Sequence, residues 1–533
     1  MRIGKPSLIA IYLDPQFLQH SIHSQIDFSE MDARITKEKA ERDALTKEEK
    51  KAAALKRKEL RERLKEMFGY ATADGEQIEL ANYMTEPSGI FMGRGKHPLR
   101  GRWKQGAEKK DVTLNMSPDA DIDRTEWKEV IWQPESLWVA RWEDLLSAKL
   151  KYIWLHDSSP IKQEREAKKF DKAIELDAKI VKVREHISNA LMNDNPKVRR
   201  IATACYLIDA LCLRVGDEKD PDEADTVGAT TLRPEHIKIH DNGIVEFRFL
   251  GKDSVLWHNK IQLPDHVRKN LLELAENAKP SVSVRNNKKH PIYSKPQLFY
   301  DVSSRNVNAF LAEAMTGLSA KVFRTHHATH VVRESLEEAS IKKEDPEYKK
   351  WETATKANTL AAILCNHTKQ APKNWSERKK RYREREQNGK ERIKSIQALL
   401  KELKQDVTLL KKERIIKKKN AKNNEQKRII SVRYEKRIKS KLARIESTIV
   451  REEKAQVALG KIKAQMAIAM ENRSWNLGTS QKSYIDPRVF HNWGMRVDYD
   501  VLERYYSKML TLKFQWVYSK EFNPEIKEPE TNQ

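Results

Sequence analysis

Residues 393–410, Ile-Lys-Ser-Ile-Gln-Ala-Leu-Leu-Lys-Glu-Leu-Lys-Gln-Asp-Val-Thr-Leu-Leu, place Ile393, Ile396, Leu400, Leu403, Val407 and Leu410 at steps of 3, 4, 3, 4 and 3. That is the seam spacing of a helix packed along one narrow stripe against another helix. A second such stripe, Ile438, Leu442, Ile445 and Ile449, follows at steps of 4, 3 and 4. Between the two, Lys417–Gln426 is polar and carries Asn420, Asn423 and Asn424, so the pair is expected to fold back as an antiparallel coiled-coil hairpin over 376–470. This span holds 30 Lys and Arg against 12 Asp and Glu, a net +18, which is three-quarters of the +24 carried by all 533 residues. Such an excess points to a polyanionic partner.

The full length of 533 residues allows three or four modules, each able to bury its own core. Charged residues make up 34% of the chain and apolar ones 39%, with only 17 Gly, the texture of a helix-rich and strongly solvated protein. No apolar run approaches the roughly 18 residues that a membrane span needs, and the short stretch Leu8–Leu13 ends at Asp14-Pro15. The expectation is an intracellular protein with no membrane contact. Cys205, Cys212 and Cys365 form no C-x-x-C pair, so neither a disulfide framework nor a zinc knuckle is on offer.

Near the start, Thr46-Lys-Glu-Glu49 reads as a capping box opening a charged helix, whose Leu60, Leu64 and Met67 supply a narrow packed stripe before a Gly69 stop. From Ile90 to Pro160 the texture turns to Gly, Pro and short apolar stretches with six of the twelve Trp, read as a mixed α/β lobe. Helical periodicity returns over 161–235, including the apolar face of Ala202–Val215. Then His236–His240, Ile244–Leu250 and Val255–Leu263 predict a three-stranded antiparallel meander. Its first turn is Asn242-Gly243, in which both central residues are expected to take positive φ, and Lys252 sits at the second tip. Helices resume from Asn306 to Cys365, and Glu471–Gln533 closes the chain.

The sequence carries no phosphate-binding glycine loop, dinucleotide fingerprint, H-E-x-x-H or G-x-S-x-G, so nucleotide, zinc and serine-hydrolase chemistry find no support. His326 and His330, four apart on a helix, could share a metal, but no third ligand is in view. Several residues stand out without being decisive alone. Arg214 leaves the end of a buried helix, and its ordinary reading is a structural arginine paired with Asp217, Glu218 or Asp225. Arg324 lies in Lys321-Val-Phe-Arg-Thr325 and invites the same reading. Lys252 would ordinarily be a solvated turn residue, His367 a helix C-terminal cap, and Tyr484 a half-buried aromatic.

Together and in order, these segments resemble the eukaryotic-type DNA topoisomerase IB family. The resemblance rests on Phe91-Met-Gly-Arg-Gly-Lys-His-Pro98, Leu213-Arg-Val-Gly-Asp-Glu-Lys219, Leu232-Arg-Pro-Glu-His236, Phe249-Leu-Gly-Lys-Asp-Ser254, Lys321-Val-Phe-Arg-Thr325, Ile363-Leu-Cys-Asn-His367, Leu477-Gly-Thr-Ser480 and Tyr484-Ile-Asp-Pro-Arg488. It covers the chain from about Phe28 to Val517. It implies that Tyr484 is the nucleophile, that Arg214, Arg324 and His367 hold the scissile phosphate, and that Lys252 protonates the leaving oxygen. Arg94, Lys96, Asp253 and Lys321 fall at DNA-facing positions.

The resemblance further implies a multidomain, mainly α fold with α+β parts. A clamp lobe would occupy 1–158, a catalytic domain like that of topoisomerase IB and tyrosine recombinases 159–375, the coiled-coil linker 376–470, and a C-terminal domain 471–533. The enzyme would be a monomer acting on double-stranded DNA without cofactor or metal, nicking one strand through a 3′-phosphotyrosine and relaxing supercoils of either sign. This chain departs from the family at Ser483, where many nuclear members carry Asn before the tyrosine, at Val215-Gly216-Asp217 in place of Ala-Gly-Asn, and in having no long charged N-terminal tail. The last departure favours an archaeal-type member in the nucleoid of a cell without a nucleus, with the nucleus as alternative. A tyrosine recombinase is the nearest rival, but recombinases carry H-x-x-R where this chain has Lys321-x-x-Arg324, and they lack a long coiled coil before the tyrosine. The other rival is a non-catalytic DNA-binding chromatin protein, which a plasmid relaxation assay would separate from both enzymes.

Overall fold

The computed structural model describes residues 29–73, 75–92, 97–216, 225–280 and 295–524. The chain is mainly helical and divides into two units, one formed by residues up to Arg324 together with those from Met509 onward, the other by Thr325–Lys508.

In the first unit, helices α1 (Ser29–Ala44) and α2 (Lys47–Phe68) lead into small strands. The capping box at α2 is present, with the Thr46 hydroxyl accepting from the Glu49 N–H and the Glu49 carboxylate accepting from the Thr46 N–H at 2.8 Å. The expected packed stripe is not. No residue of α2 is buried and Met67 is 61% exposed, so capping and helix-forming side chains define this helix instead of a core. Strands β1 (Tyr70–Ala73) and β2 (Glu76–Glu79) form a hairpin, and β3 (Gly89–Ile90) pairs with β4 (Trp103–Lys104). Strands β5 (Val112–Asn115), β6 (Glu129–Ile131), β7 (Trp138–Asp144) and β8 (Lys149–Trp154) make a sheet in the order β6-β5-β7-β8, parallel only between β5 and β6. Alternate residues of β7 point inward, and Val112, Leu114, Ala140, Trp142 and Ile153 form its core. The region read as mixed α/β from Ile90 to Pro160 therefore contains strands and 3-10 turns but no α-helix among the described residues before α3 (Pro160–Ala190).

The largest core belongs to α3, α4 (Pro196–Leu211), the meander β9 (Ile237–Ile239), β10 (Ile244–Gly251) and β11 (Val255–Gln262), and helices α5 (Asp265–Glu276) and α6 (Ser304–Ala314). Phe247, Phe299, Leu207 and Leu271 are fully enclosed there, and Phe323 of α7 (Ala320–Glu338) enters the same core. The meander pairs as expected, in the order β11-β10-β9. Its first turn differs. Gly243 alone takes positive φ, at 83°, while Asn242 keeps negative φ and offers its side-chain oxygen to the Ile244 N–H, so the loop is a longer turn with glycine in the left-handed position.

In the second unit, α8 (Glu347–Leu364) is followed by two long helices, α9 (Trp375–Lys419) and α10 (Asn424–Glu471). Gln397 bonds Glu452, Lys441 bonds Asp406 and Arg414 bonds Ser431, so residue numbers rise on one helix as they fall on the other, and the pair is antiparallel. Asn423 caps α10 through the Gln426 N–H. On α9 the expected seam is buried at Ile396, Leu403, Val407 and Leu410. On α10 it is shifted: Tyr434, Ile438, Thr448, Ala455, Ala464 and Ile468 are buried, whereas Leu442 and Ile449 are 47% and 39% exposed. Small residues let the two helices approach, so the seam follows contact and not hydrophobicity alone. Helices α11 (Leu477–Ser483) and α12 (Pro487–Arg496) and the short α13 (Val501–Arg504) complete this unit.

Leu403 is nearly fully enclosed between the long helices. Leu403→Ala is expected to lower the hairpin's stability by about 2–5 kcal/mol, the usual range for such a truncation. Leu409→Ala, at an exposed position of the same helix, should change it little. Denaturant unfolding followed by circular dichroism compares the two.

Candidate active site

Helix α4 ends in a strained residue. Cys212 adopts the left-handed conformation at φ 50°, so the chain leaves the helix abruptly and Leu213-Arg214-Val215-Gly216 runs on as a loop. Arg214 thus lies beyond the helix and not on it, contrary to the sequence reading. Nothing in the residue types signals this end, because neither Gly nor Asn occupies the position. The loop is held by a second strand of backbone: the Ala229 N–H donates to the Arg214 carbonyl at 2.9 Å and the Thr230 N–H to the Val215 carbonyl at 2.7 Å. The Thr230 hydroxyl adds bonds to the Val215 and Gly216 carbonyls. Gly216 and Gly228 meet so closely that a Cβ on Gly228 would lie 2.4 Å from the Gly216 Cα, with backbone on every near side.

Arg324, on the first turns of α7, is only 3% exposed, and its guanidinium donates to the carbonyl of Cys212. The two arginines singled out in the sequence are therefore linked through two residues of backbone. The Val227 N–H donates to the Leu250 carbonyl at 2.8 Å, which ties the same loop system to β10 just before the meander's second tip. At that tip Lys252 is exposed, and Asp253 and Ser254 both take positive φ, at 64° and 58°. Asp225, one suggested partner of Arg214, is engaged by Arg233 in a two-pronged pair at 3.0 Å on each oxygen. Arg233 holds its carboxyl below the usual range against the opposing effect of burial. Asp217 and Glu218 lie outside the described residues, as do Arg94 and Lys96. Lys321 is exposed at the start of α7.

In the second unit His367 and Tyr484 lie side by side. Both are buried, with ring centroids 5.1 Å apart. His367 follows Asn366, which takes positive φ, and its own N–H donates to the Ala362 carbonyl at 2.8 Å. Its carbonyl accepts from the Asn476 N–H at 2.7 Å, which sets the start of α11 against the histidine. The imidazole Nδ1 is 2.7 Å from the Ser480 hydroxyl on α11. Tyr484 stands at the end of that helix, its N–H on the Ser480 carbonyl at 2.9 Å. The Thr329 hydroxyl donates to the Tyr484 carbonyl at 3.3 Å and accepts from the Asp486 N–H at 3.0 Å. Asp486 in turn caps α12 and pairs with buried Arg488 at 2.8 Å.

Ser480 and Thr329 were not foreseen as site residues. A hydroxyl inside a helix has no pattern of its own, and only the fold shows that Ser480 faces the histidine while its carbonyl holds the tyrosine. His326, which the sequence left without a third metal ligand, stacks on His330, whose Nε2 is 3.2 Å from Glu334, and no cluster of three metal-ligand side chains gathers among the described residues.

The two-glycine contact generates a prediction. Gly228→Ala must displace the Arg214 loop, with an expected loss of about 1–3 kcal/mol. Gly89→Ala, where an added Cβ meets open space, serves as the control in thermal unfolding.

Three family models match the chain. Residues 14–155 match "Eukaryotic DNA topoisomerase I, DNA binding fragment", 158–406 match "Eukaryotic DNA topoisomerase I, catalytic core", and 447–525 match "C-terminal topoisomerase domain". Among curated proteins, the chain is 32% identical over 503 residues to DNA topoisomerase 1 of Homo sapiens, covering 92% of this chain and 60% of that protein. It is 33% identical over 507 residues to DNA topoisomerase 1 of Caenorhabditis elegans, covering 92% and 56%. It is 32% identical over 500 residues to the mitochondrial DNA topoisomerase I of Homo sapiens, covering 92% and 76%. The chain thus spans a little under two thirds of the length of the first two of these relatives. With three successive family models accounting for most of its residues and relatives above 30% identity across 92% of it, the chain belongs to the eukaryotic-type DNA topoisomerase I family.

Proposed function

We propose that this protein is a type IB DNA topoisomerase, which nicks one strand of duplex DNA through Tyr484, lets the strand rotate, and reseals it without ATP or metal. The observation that carries the proposal is the position of buried Tyr484 beside His367, with the Ser480 hydroxyl at the imidazole Nδ1. A tyrosine used as a nucleophile must be held in one orientation, and an imidazole beside it can serve the phosphate it attacks.

In the proposed reaction the phenolic oxygen of Tyr484 attacks the scissile phosphorus, its proton passing to water, and the bond to the 5′-oxygen breaks. Negative charge grows on the non-bridging oxygens. Arg214 and Arg324 supply planar guanidiniums and His367 an Nε2–H donor, groups that stabilise that charge. If the Ser480 hydroxyl donates to Nδ1, the neutral imidazole carries its proton on Nε2, the tautomer this role requires. Lys252, exposed at a narrow hairpin tip, gives a proton to the departing 5′-oxygen. The phosphotyrosine conserves the energy of the broken bond, so the freed 5′-hydroxyl reverses the step.

The remaining parts take their roles from this reading. The residues up to 158 act as a DNA-holding lobe, 159–375 as the catalytic domain, 376–470 as a coiled-coil linker that returns the chain from His367 to Tyr484, and 471–533 as the carrier of the nucleophile. The linker's +18 attracts the DNA backbone over a salt-dependent range of about 8–10 Å. Arg94, Lys96, Asp253 and Lys321 complete the DNA-facing set. Contacts of this kind fall mainly on phosphates and give weak sequence preference with strong salt dependence.

The test is relaxation of supercoiled plasmid in EDTA without ATP. Wild type should relax positive and negative supercoils alike, and Tyr484→Phe should bind DNA yet neither relax it nor form a covalent adduct. Strict dependence on a metal or nucleotide, or normal adduct yield in the Phe variant, would reject the proposal. Ser480→Ala should slow cleavage by about tenfold, near 1.4 kcal/mol for one positioning hydrogen bond, with a shifted pH–rate profile and recovery in Ser480→Thr.

A further inference from the structure

A cavity of about 560 Å³ opens in the second unit, bounded by α8, the first turns of α9, the last turns of α10, and α11. Its size is that of a small-molecule site. Two of its lining groups are buried amides with an unmet donor. Asn472 Nδ2 and Gln481 Nε2 find no hydrogen-bond partner among the described residues, although each side chain lies in a residue only 8% exposed. The Asn472 carbonyl oxygen is taken by the Thr359 hydroxyl at 2.8 Å, which turns the amide nitrogen away from that partner. Leaving such donors unmet in a buried place costs about 1–3 kcal/mol each, a cost that rotation of either amide towards an acceptor in the cavity removes, so an acceptor-bearing occupant is favoured.

The rest of the lining specifies the occupant. Lys369, Arg378 and Arg473 contribute positive charge, and no Asp or Glu lines the cavity among the described residues. Trp375 and Tyr505 add aromatic walls suited to a flat ring. The Tyr505 hydroxyl accepts from Asn358 at 3.0 Å, and burial pushes its pKa up to about 12, so it stays neutral and does not oppose an anion. We propose that this cavity binds a small flat anion, an aromatic ring bearing a phosphate, between the two roots of the helical hairpin and the helix that leads to Tyr484. Such an occupant would fasten α9 and α10 to α11 at the point where all three meet. The proposal goes beyond the nicking reaction and does not depend on it, because it concerns binding in the absence of DNA.

The experiment titrates the full chain, without DNA, with adenosine 5′-monophosphate as probe while following tryptophan fluorescence. Adenosine and inorganic phosphate serve as the ring-only and charge-only probes. Saturable quenching with a Kd below about 1 mM is expected for the monophosphate, with each partial probe at least about tenfold weaker. Arg378→Ala and Arg473→Ala, both at exposed positions and checked for unchanged circular dichroism, should each weaken binding by about tenfold. Lys412→Ala, on the hairpin far along the chain from the cavity, should leave it unchanged. No saturation up to about 10 mM would overturn the proposal and leave the unmet amides to water. Equal loss in Lys412→Ala would overturn it too, as attraction to the basic surface in general.

Discussion

A guanidinium removed from water needs oxygen acceptors around it, and Arg324 is 3% exposed. Its contact with the Cys212 carbonyl is where the geometry of the first unit converges. That carbonyl belongs to the residue whose left-handed turn ends α4, and the loop beyond it carries Arg214. The Gly216–Gly228 contact and the bonds from Ala229 and Thr230 then fix the loop, and Val227 links it to the strand that ends at Lys252. One buried charge, one strained residue and two glycines thus place three cationic side chains on a connected frame. Removing either glycine's lack of a side chain would move backbone, which no rotamer change can offset.

The second unit solves a different problem, that of orienting neutral groups. Tyr484 is fixed through its backbone, by Ser480 on one side and Thr329 on the other. His367 is fixed through both its backbone and its ring. Ser480 serves both residues, so a single residue couples the imidazole, through its hydroxyl, to the backbone of the tyrosine, through its carbonyl. This coupling supports the proposal that the two serve one reaction.

Much of this was legible in the residues. Alternating Ile, Val and Phe between Gly-containing turns specified the meander and put Lys252 at its tip. Ile396, Leu403, Val407 and Leu410 specified the face of α9. The facing helix was read less well, since Ala455, Ala464 and Thr448 pack by being small, and a search for large apolar residues selects Leu442 and Ile449 instead. The end of α4 was missed because Cys212 takes a conformation usually reserved for Gly or Asn, imposed by the surrounding contacts. Arg214, Arg324, His367 and Tyr484 were singled out through the order of their motifs, since each alone has an ordinary structural reading, and their roles are proposed from that order. Ser480 and Thr329 became visible only in the fold, because their importance lies in which backbone groups they face.

The central claim is that the phenol of Tyr484 attacks a phosphodiester while His367 stands beside it. Its most direct test uses a duplex substrate whose cleaved strand releases a short fragment that cannot return, so that the covalent complex accumulates. Proteolysis and mass spectrometry then identify the modified peptide and the end of the DNA attached to it. The account predicts one adduct, a 3′-phosphate on Tyr484. Attachment at another residue, or through a 5′-phosphate, would contradict it.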